Sequence, residues 1–265
     1  MKHLIPFMSS EPLVNVIRLQ GGIANGTGGS LDDPSLAPVI EKAFRKGKPA
    51  AVALQINCPG GSAVQSSLIA ARIRRLSKEK DVPVYAFVED VAASGGYWLA
   101  CAADEIYADA SSIVGSIGVI SAGFGLQEAI GKIGVERRVH TAGTSKSMLD
   151  PFQKEKPADV KRLKGWLEDI HANFIAHVKE RRGERLSDND ALFTGEVYIG
   201  EKAKAEGLID GIDHLVPFMK DKFGDKVRLR RYGPKKSLFQ RLGARLMLSA
   251  LDGMDERAAF ARFGL

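Results

Sequence analysis

The chain has 265 residues, 45% of them hydrophobic and 26% charged, which excludes a disordered or collagen-like chain and suits one large α/β domain or two small ones. Its net charge of +6 is uneven, because residues 220–265 alone carry +7; such a basic tail fits an anionic membrane surface, or more plainly a solvated or subunit-contacting face, and no nucleic-acid partner is expected. No stretch approaches the roughly 18 uninterrupted apolar residues of a spanning helix, and the apolar piece in "MKHLIPFMSSEPLVNVIRLQ" is too short and broken for a cleaved leader.

In chain order, "LVNVIRLQGGI" (13–23) reads as a strand ending in Gly-Gly. A Gly-rich loop and an Asp/Pro start lead into an amphipathic helix over 36–46, stopped by Gly47. "AAVALQIN" (50–57) is a continuous apolar run without alternation, the mark of a strand buried on both faces. "CPGGSAVQ" turns the chain into a helix carrying Leu68, Ile69, Ile73 and Leu76. "PVYAFVE" (83–89) is the next buried strand, followed by the turn and helix of "DVAASGGYWLACA" and the strand "EIYADA". "SIVGSIGVISAGFGL" (112–126) reads as strand material that bends tightly, and "VERRVH" as a strand. A long amphipathic helix follows, with Val160, Leu163, Leu167, Ile170, Phe174, Ile175 and Val178 on its apolar side and Gly183 at its end. "FTGEVYIGEKAKAEGLIDGI" gives turn, helix and turn, and "KKSLFQRLGARLMLSAL" a basic amphipathic helix near the C-terminus. The rhythm of strand, Gly-rich turn and helix predicts a largely parallel sheet covered by helices.

Two of the turns carry chemistry. Gly60 and Gly61 in "NCPGGS" follow a buried strand and precede a helix. In open α/β sheets the site lies outside the carboxyl ends of the strands. Glycines there present backbone N–H groups free of side chains, as an oxyanion hole requires; the plainer reading is a turn capped by Ser62. Ser94 in "AASGG" occupies the corresponding place after the next strand. Ser is a common N-cap, so Ser94 reads either as a cap or as a nucleophile presented at a helix start, where a developing oxyanion is favoured. A serine nucleophile needs a base. His171 and His177 lie on the long helix and read as packing or surface residues, while His140 remains open. The alternative is Lys146, in a loop of small residues followed by Met148, Leu149 and Phe152; desolvation disfavours a charged ammonium, and Ser–Lys pairs are a known variant of triad logic. Cys58 and Cys101 sit in apolar or small-residue surroundings and read as reduced, packed thiols, which fits a cytoplasmic chain.

Five ordered stretches resemble the signal peptide peptidase A family of serine peptidases, family S49: "INCPGGSAVQS", "VEDVAASGGYWLACAADEIYAD", "SSIVGSIGVI", "TSKSMLDPF" and "FTGEVYIGEKAKAEGLIDGI". Lys146 stands 52 positions after Ser94. The resemblance implies a Clp/crotonase-like α/β fold, a repeated β-β-α spiral core, over residues 1–215, with 216–265 a basic helical C-terminal extension. It implies Ser94 as nucleophile and Lys146 as general base. It also implies Gly61 and Gly95 as oxyanion donors and Ser116 as the group that orients the lysine. No P-loop, Cys/His ligand spacing or paired acidic site in the sequence points to a cofactor or metal, and none is expected. Expected partners are extended peptide substrates, unstructured or membrane-released, and further copies of the chain in a homo-oligomeric ring, with the basic tail against the inner face of an anionic membrane. The alternatives within this fold are a phage-type head-maturation protease and a crotonase-like acyl-CoA enzyme.

Overall fold

The structure, a computed structural model, describes residues 11–26, 30–233 and 260–265. An eight-stranded sheet runs in the order β6-β5-β3-β2-β1-β8, with β4 on β3 and β7 on β4. These are β1 (Leu13–Gln20), β2 (Ala51–Cys58), β3 (Val84–Ala93), β4 (Glu105–Ala108), β5 (Ile113–Gly115), β6 (Val197–Ile199), β7 (Gly211–Ile212) and β8 (Arg228–Tyr232). Every pairing is parallel except β5 with β6.

The long strand β3 serves two partners. Its first half pairs with β4 from Tyr85 to Val88, and its last residues, Val91 to Ala93, pair with β5. Between them the register against β2 shifts, from Ile56 opposite Val88 to Cys58 opposite Ala92. This irregularity bends the carboxyl end of β3 away from the plane of its start.

The apolar runs read from the sequence form the strands buried on both faces. One face packs on α1 (Asp33–Arg45), α2 (Ala63–Lys80) and α3 (Gly95–Ala100) through Leu36, Ile40, Ile69, Ile73 and Leu99. The other face packs on α7 (Leu215–Phe223): Val14, Val16, Tyr85 and Phe87 meet Leu215 and Met219. Asp32 caps α1 by accepting from the Ser35 N–H at 2.8 Å. Asp33 then receives two bonds from the Arg72 guanidinium, at 2.7 and 2.8 Å, tying α1 to α2.

Several expectations change. Of residues 112–126 only Ile113–Gly115 is strand, and residues 135–140 form none. Residues 117–150 include one short helix, α4 (Gln127–Lys132), with no buried residue. The long helix is α5 (Pro157–Arg182), but of its expected apolar side only Phe174 and Val178 are buried; Val160, Leu163 and Leu167 are only partly covered. Residues past 215 are drawn into the sheet, since α7 covers one face and β8 lies parallel to β1, Leu13 opposite Arg228. The basic helix expected at 235–251 lies outside the described residues.

Candidate active site

β3 ends at Ala93, and the chain turns through Ser94 directly into α3. Ser94 has φ 52° and ψ −122°, a conformation that costs a non-glycine residue on the order of 1–3 kcal/mol and persists only when its surroundings enforce it. Three backbone bonds do so: the Ser94 N–H donates to Gly115 O at 2.9 Å, and Ser94 O accepts from the N–H groups of Tyr97 and Trp98 at 3.0 Å each. Ser94 stands at the N-cap position, yet its side chain makes no cap bond. Partly buried, it lines a cavity of about 490 Å³.

The β2–α2 turn closes against this serine. A Cβ built on Gly60 would lie 2.8 Å from the Ser94 Cβ and 2.9 Å from Gly95 N, so no side chain fits there. The Gly60 carbonyl accepts from the Ile23 N–H, and the Ser62 N–H donates to the Ile23 carbonyl, both at 2.8 Å. This parallel bridge works through the neighbours of Gly61 and does not take up the N–H of Gly61 itself. Gly61 N is 3.3 Å from where a Gly95 Cβ would stand. Gly60 and Gly61, at φ 107° and 139°, have backbones that favour glycine. Ser62 caps α2 as the plainer reading has it, with its hydroxyl accepting from the Gln65 N–H.

Ser116 follows β5 with φ 52° and lines the same cavity as Ser94, Gly61 and Gly95. Its N–H donates to Glu196 O at 2.7 Å, which fastens it to the strand β6 side. Lys146 is placed elsewhere: it is exposed, in a turn where its N–H donates to Gly143 O at 3.2 Å, and it is not part of the cavity lining. His140 is exposed and outside the lining as well.

The walls were not foreseen as such. Trp98, Ile170, Phe174, Val119 and Ile120 supply apolar lining, and Phe263, near the C-terminus, also lines the cavity. Trp98 stacks on Phe174 at 4.8 Å and on His177 at 5.1 Å between ring centroids. The ring Nε2 of His177 bonds Trp98 O at 3.2 Å, and that of His171 bonds Ile117 O at 3.0 Å. These histidines therefore pin α5 to the two segments that carry Ser94 and Ser116. Burial pushes the His177 imidazole below its ordinary range, with the Trp98 carbonyl acting against that effect. Only the i, i+4, i+7 spacing of Ile170, Phe174 and His177 on one helix could have signalled this wall.

Neither cysteine is in a disulfide and both are buried; burial pushes the Cys101 thiol up to about 12, so it stays protonated and unreactive. Behind α3, the fully buried Tyr97 donates its hydroxyl to Leu208 O at 2.8 Å. The buried Arg182 donates to Gly207 O at 2.9 Å and to both oxygens of Asp210 at 2.7 and 3.2 Å. Asp210 also accepts from the Ile106 N–H. Burial alone would raise the Asp210 carboxyl, but the Arg182 bonds and charge hold it below the usual carboxylate range.

The largely parallel, helix-covered sheet, with Ser94 at a strained strand-to-helix turn, is consistent with the Clp/crotonase-like fold class. Residues 76–220 match Peptidase family S49, and the chain belongs to that family. It is 48% identical over 288 residues to a Brucella melitensis protein named Na(+)/H(+) antiporter NhaA, an alignment covering all of this chain and 39% of that protein. It is 32% identical over 209 residues to Protease 4 of Haemophilus influenzae, covering 75% of this chain and 32% of the relative. The chain thus spans well under half the length of these curated relatives. A solved structure of the 1510-N membrane-bound stomatin-specific protease, a Ser→Ala mutant, superposes with a TM-score of 0.51 at 16% identity; the match covers 85% of this chain and all of that one, and it bears on the fold alone. Among the described residues no helix is long and apolar enough to cross a membrane.

Proposed function

We propose that the chain is a serine endopeptidase in which Ser94 is the nucleophile and Lys146 the general base. The observation that carries this reading is Ser94 itself, held in a strained turn with its side chain unused as a cap, beside Gly61 and Gly95 in one cavity. Ser94 Oγ attacks the carbonyl carbon of a peptide bond while its proton passes to the lysine amine. The N–H groups of Gly61 and Gly95 hold the oxyanion, whose charge they meet in a partly dry site. Collapse breaks the C–N bond, the lysine returns the proton to the leaving amine, and water then hydrolyses the acyl-enzyme by the same route. Ser116 orients the lysine amine.

Lys146 is exposed and outside the cavity lining, which supports a site completed between copies of the chain in a homo-oligomeric ring, one copy's lysine serving its neighbour's serine. The walls of Trp98, Ile170 and Phe174 suit apolar side chains of an extended peptide, unstructured or released from a membrane. The basic C-terminal segment would hold such a ring against the inner face of an anionic membrane.

The test is a panel of fluorogenic peptides presented to the wild type, Ser94→Ala and Lys146→Ala. Hydrolysis by the wild type, favouring apolar residues and lost in both variants, is the expected result. Full activity in Lys146→Ala would refute the dyad, and an inactive wild type across the panel would refute the peptidase reading.

A further inference from the structure

A second cavity, of about 630 Å³, lies at the far edge of the sheet between α1 and β8. The strand order puts β1 and β2 between β8 and the strand that carries Ser94, a separation of roughly 14 Å at about 4.8 Å per strand. On α1 its lining follows the helical repeat, with Ser35, Val39 and Lys42 on one face, and the C-cap residue Lys46 lines it just past the helix end. On β8, Arg230 and Tyr232 are two residues apart and so share a face. Their register partners are Asn15 and Ile17, which face α1.

The lining is basic and uncompensated. Among the described residues Lys42, Lys46, Arg230 and Arg231 make no ion pair, whereas Arg72, Arg74, Arg181 and Arg182 are each held by a carboxylate. Lys42 Nζ stands 5.9 Å from the centre of the Tyr232 ring. The Tyr232 hydroxyl oxygen is buried and has no hydrogen-bond partner among the described residues. The plainer explanation for cations here is the negative end of α1. Two carbonyls at and just past that end are already served, because the buried Asn15 amide donates to Ala43 O at 2.6 Å and to Lys46 O at 2.9 Å. What remains is a concave site whose lining holds four cations without an ion pair and a hydroxyl without a partner among the described residues, the donor set that tetrahedral oxyanions take.

We propose that the groove between α1 and β8 binds a phosphate-type anion, held by Lys42, Lys46 and Arg230 with the Tyr232 hydroxyl as a neutral donor. Free phosphate and the phosphodiester of an anionic lipid headgroup share this chemistry. Lys42 and Lys46 are exposed, so replacing them leaves the fold intact.

The experiment uses the full chain, inorganic phosphate titrated by calorimetry, and phosphatidylcholine vesicles with and without phosphatidylglycerol in a flotation assay. The Lys42→Gln/Lys46→Gln variant is compared with Lys78→Gln/Lys80→Gln, which removes equal charge from the exposed end of α2. The groove variant should weaken binding about tenfold and the α2 variant less than about twofold, since only the former removes charge-assisted bonds. Tyr232→Phe, which removes one donor alone, should weaken it several-fold. Phosphate binding without groove-dependent flotation identifies a soluble ligand, and groove-dependent flotation displaced by phosphate identifies the headgroup. Equal losses in the two double variants would mean diffuse charge, and a wild type that binds neither probe would overturn the site.

Discussion

The N–H of Ser94 donates to the carbonyl of Gly115 at 2.9 Å, so the proposed nucleophile is hydrogen-bonded to the residue immediately before Ser116. Both serines have φ 52°, and both line the same cavity. Two strained serines joined by one backbone bond form a rigid pair, set by the pairing of β3 with β5 and independent of any substrate.

That strain is measurable. Ser94→Ala and Ser94→Gly should both be inactive. The glycine variant should nonetheless be the more stable by about 1 kcal/mol, because glycine adopts a positive φ without Cβ strain. For a chain of this size that is a rise in Tm of roughly 2–4 °C over the alanine variant. Equal melting temperatures in calorimetry would count against strain at this position.

Gly60→Ala should act on the same turn from outside. Its Cβ would press on the Ser94 Cβ and Gly95 N, so peptide hydrolysis should fall at least about a hundredfold with about 2 kcal/mol of stability lost, a steric and φ penalty together. Gly165→Ala is the contrast: nothing lies within 4 Å of that Cβ, in the middle of α5. It should keep full activity and gain about 0.5–1 kcal/mol from helix propensity. Urea unfolding of the two variants checks both.

Acid should loosen the wall of the site in two stages. The His177 imidazole is depressed by burial, so the unfolded chain takes up a proton first. The stability is complete above pH 6.5 and falls as pH drops from there towards the folded pKa. Asp210 is held below its ordinary 3.8, so its contribution is complete above about pH 4 and is lost as pH falls through the lower folded value. Denaturation curves from pH 8 to 3 should show both losses. His177→Gln should flatten the first, and Asp210→Asn should cost about 3 kcal/mol at pH 7 by leaving Arg182 unpaired.

If a neighbour's lysine completes the site, two dead proteins should make a live one. Ser94→Ala and Lys146→Ala, mixed after dissociation and reassembly, should regain a measurable fraction of wild-type hydrolysis. Mixing without reassembly should regain none. No recovery under either condition would place serine and base in one subunit.

How much of this was legible depends on how local the cause is. β2 and β3 could be read because a strand buried on both faces is a continuous apolar run. The proximity of Gly60 and Ser94 could be anticipated because both follow adjacent parallel strands. The bend of β3 between β4 and β5 could not, since "VEDVAA" carries no signal for the shift opposite Asn57. β8 was hidden because "RLRRY" lacks an apolar pattern, as an edge strand is free to do. Residues 117–150 mislead for a different reason. Their β-branched residues advertise strands, yet Ile120, Phe124 and Ile133 stay exposed in a single subunit.

The Tyr97 hydroxyl finds its acceptor 111 positions further along the chain, and Arg182 with Asp210 seals the same corner. A nascent chain that has passed Ser94 therefore holds the serine without its support. That corner closes only once residues 207–210 have been made, a long-loop entropic cost met late. The order of synthesis thus leaves the buried Tyr97 hydroxyl waiting for its acceptor until most of the sheet has been made.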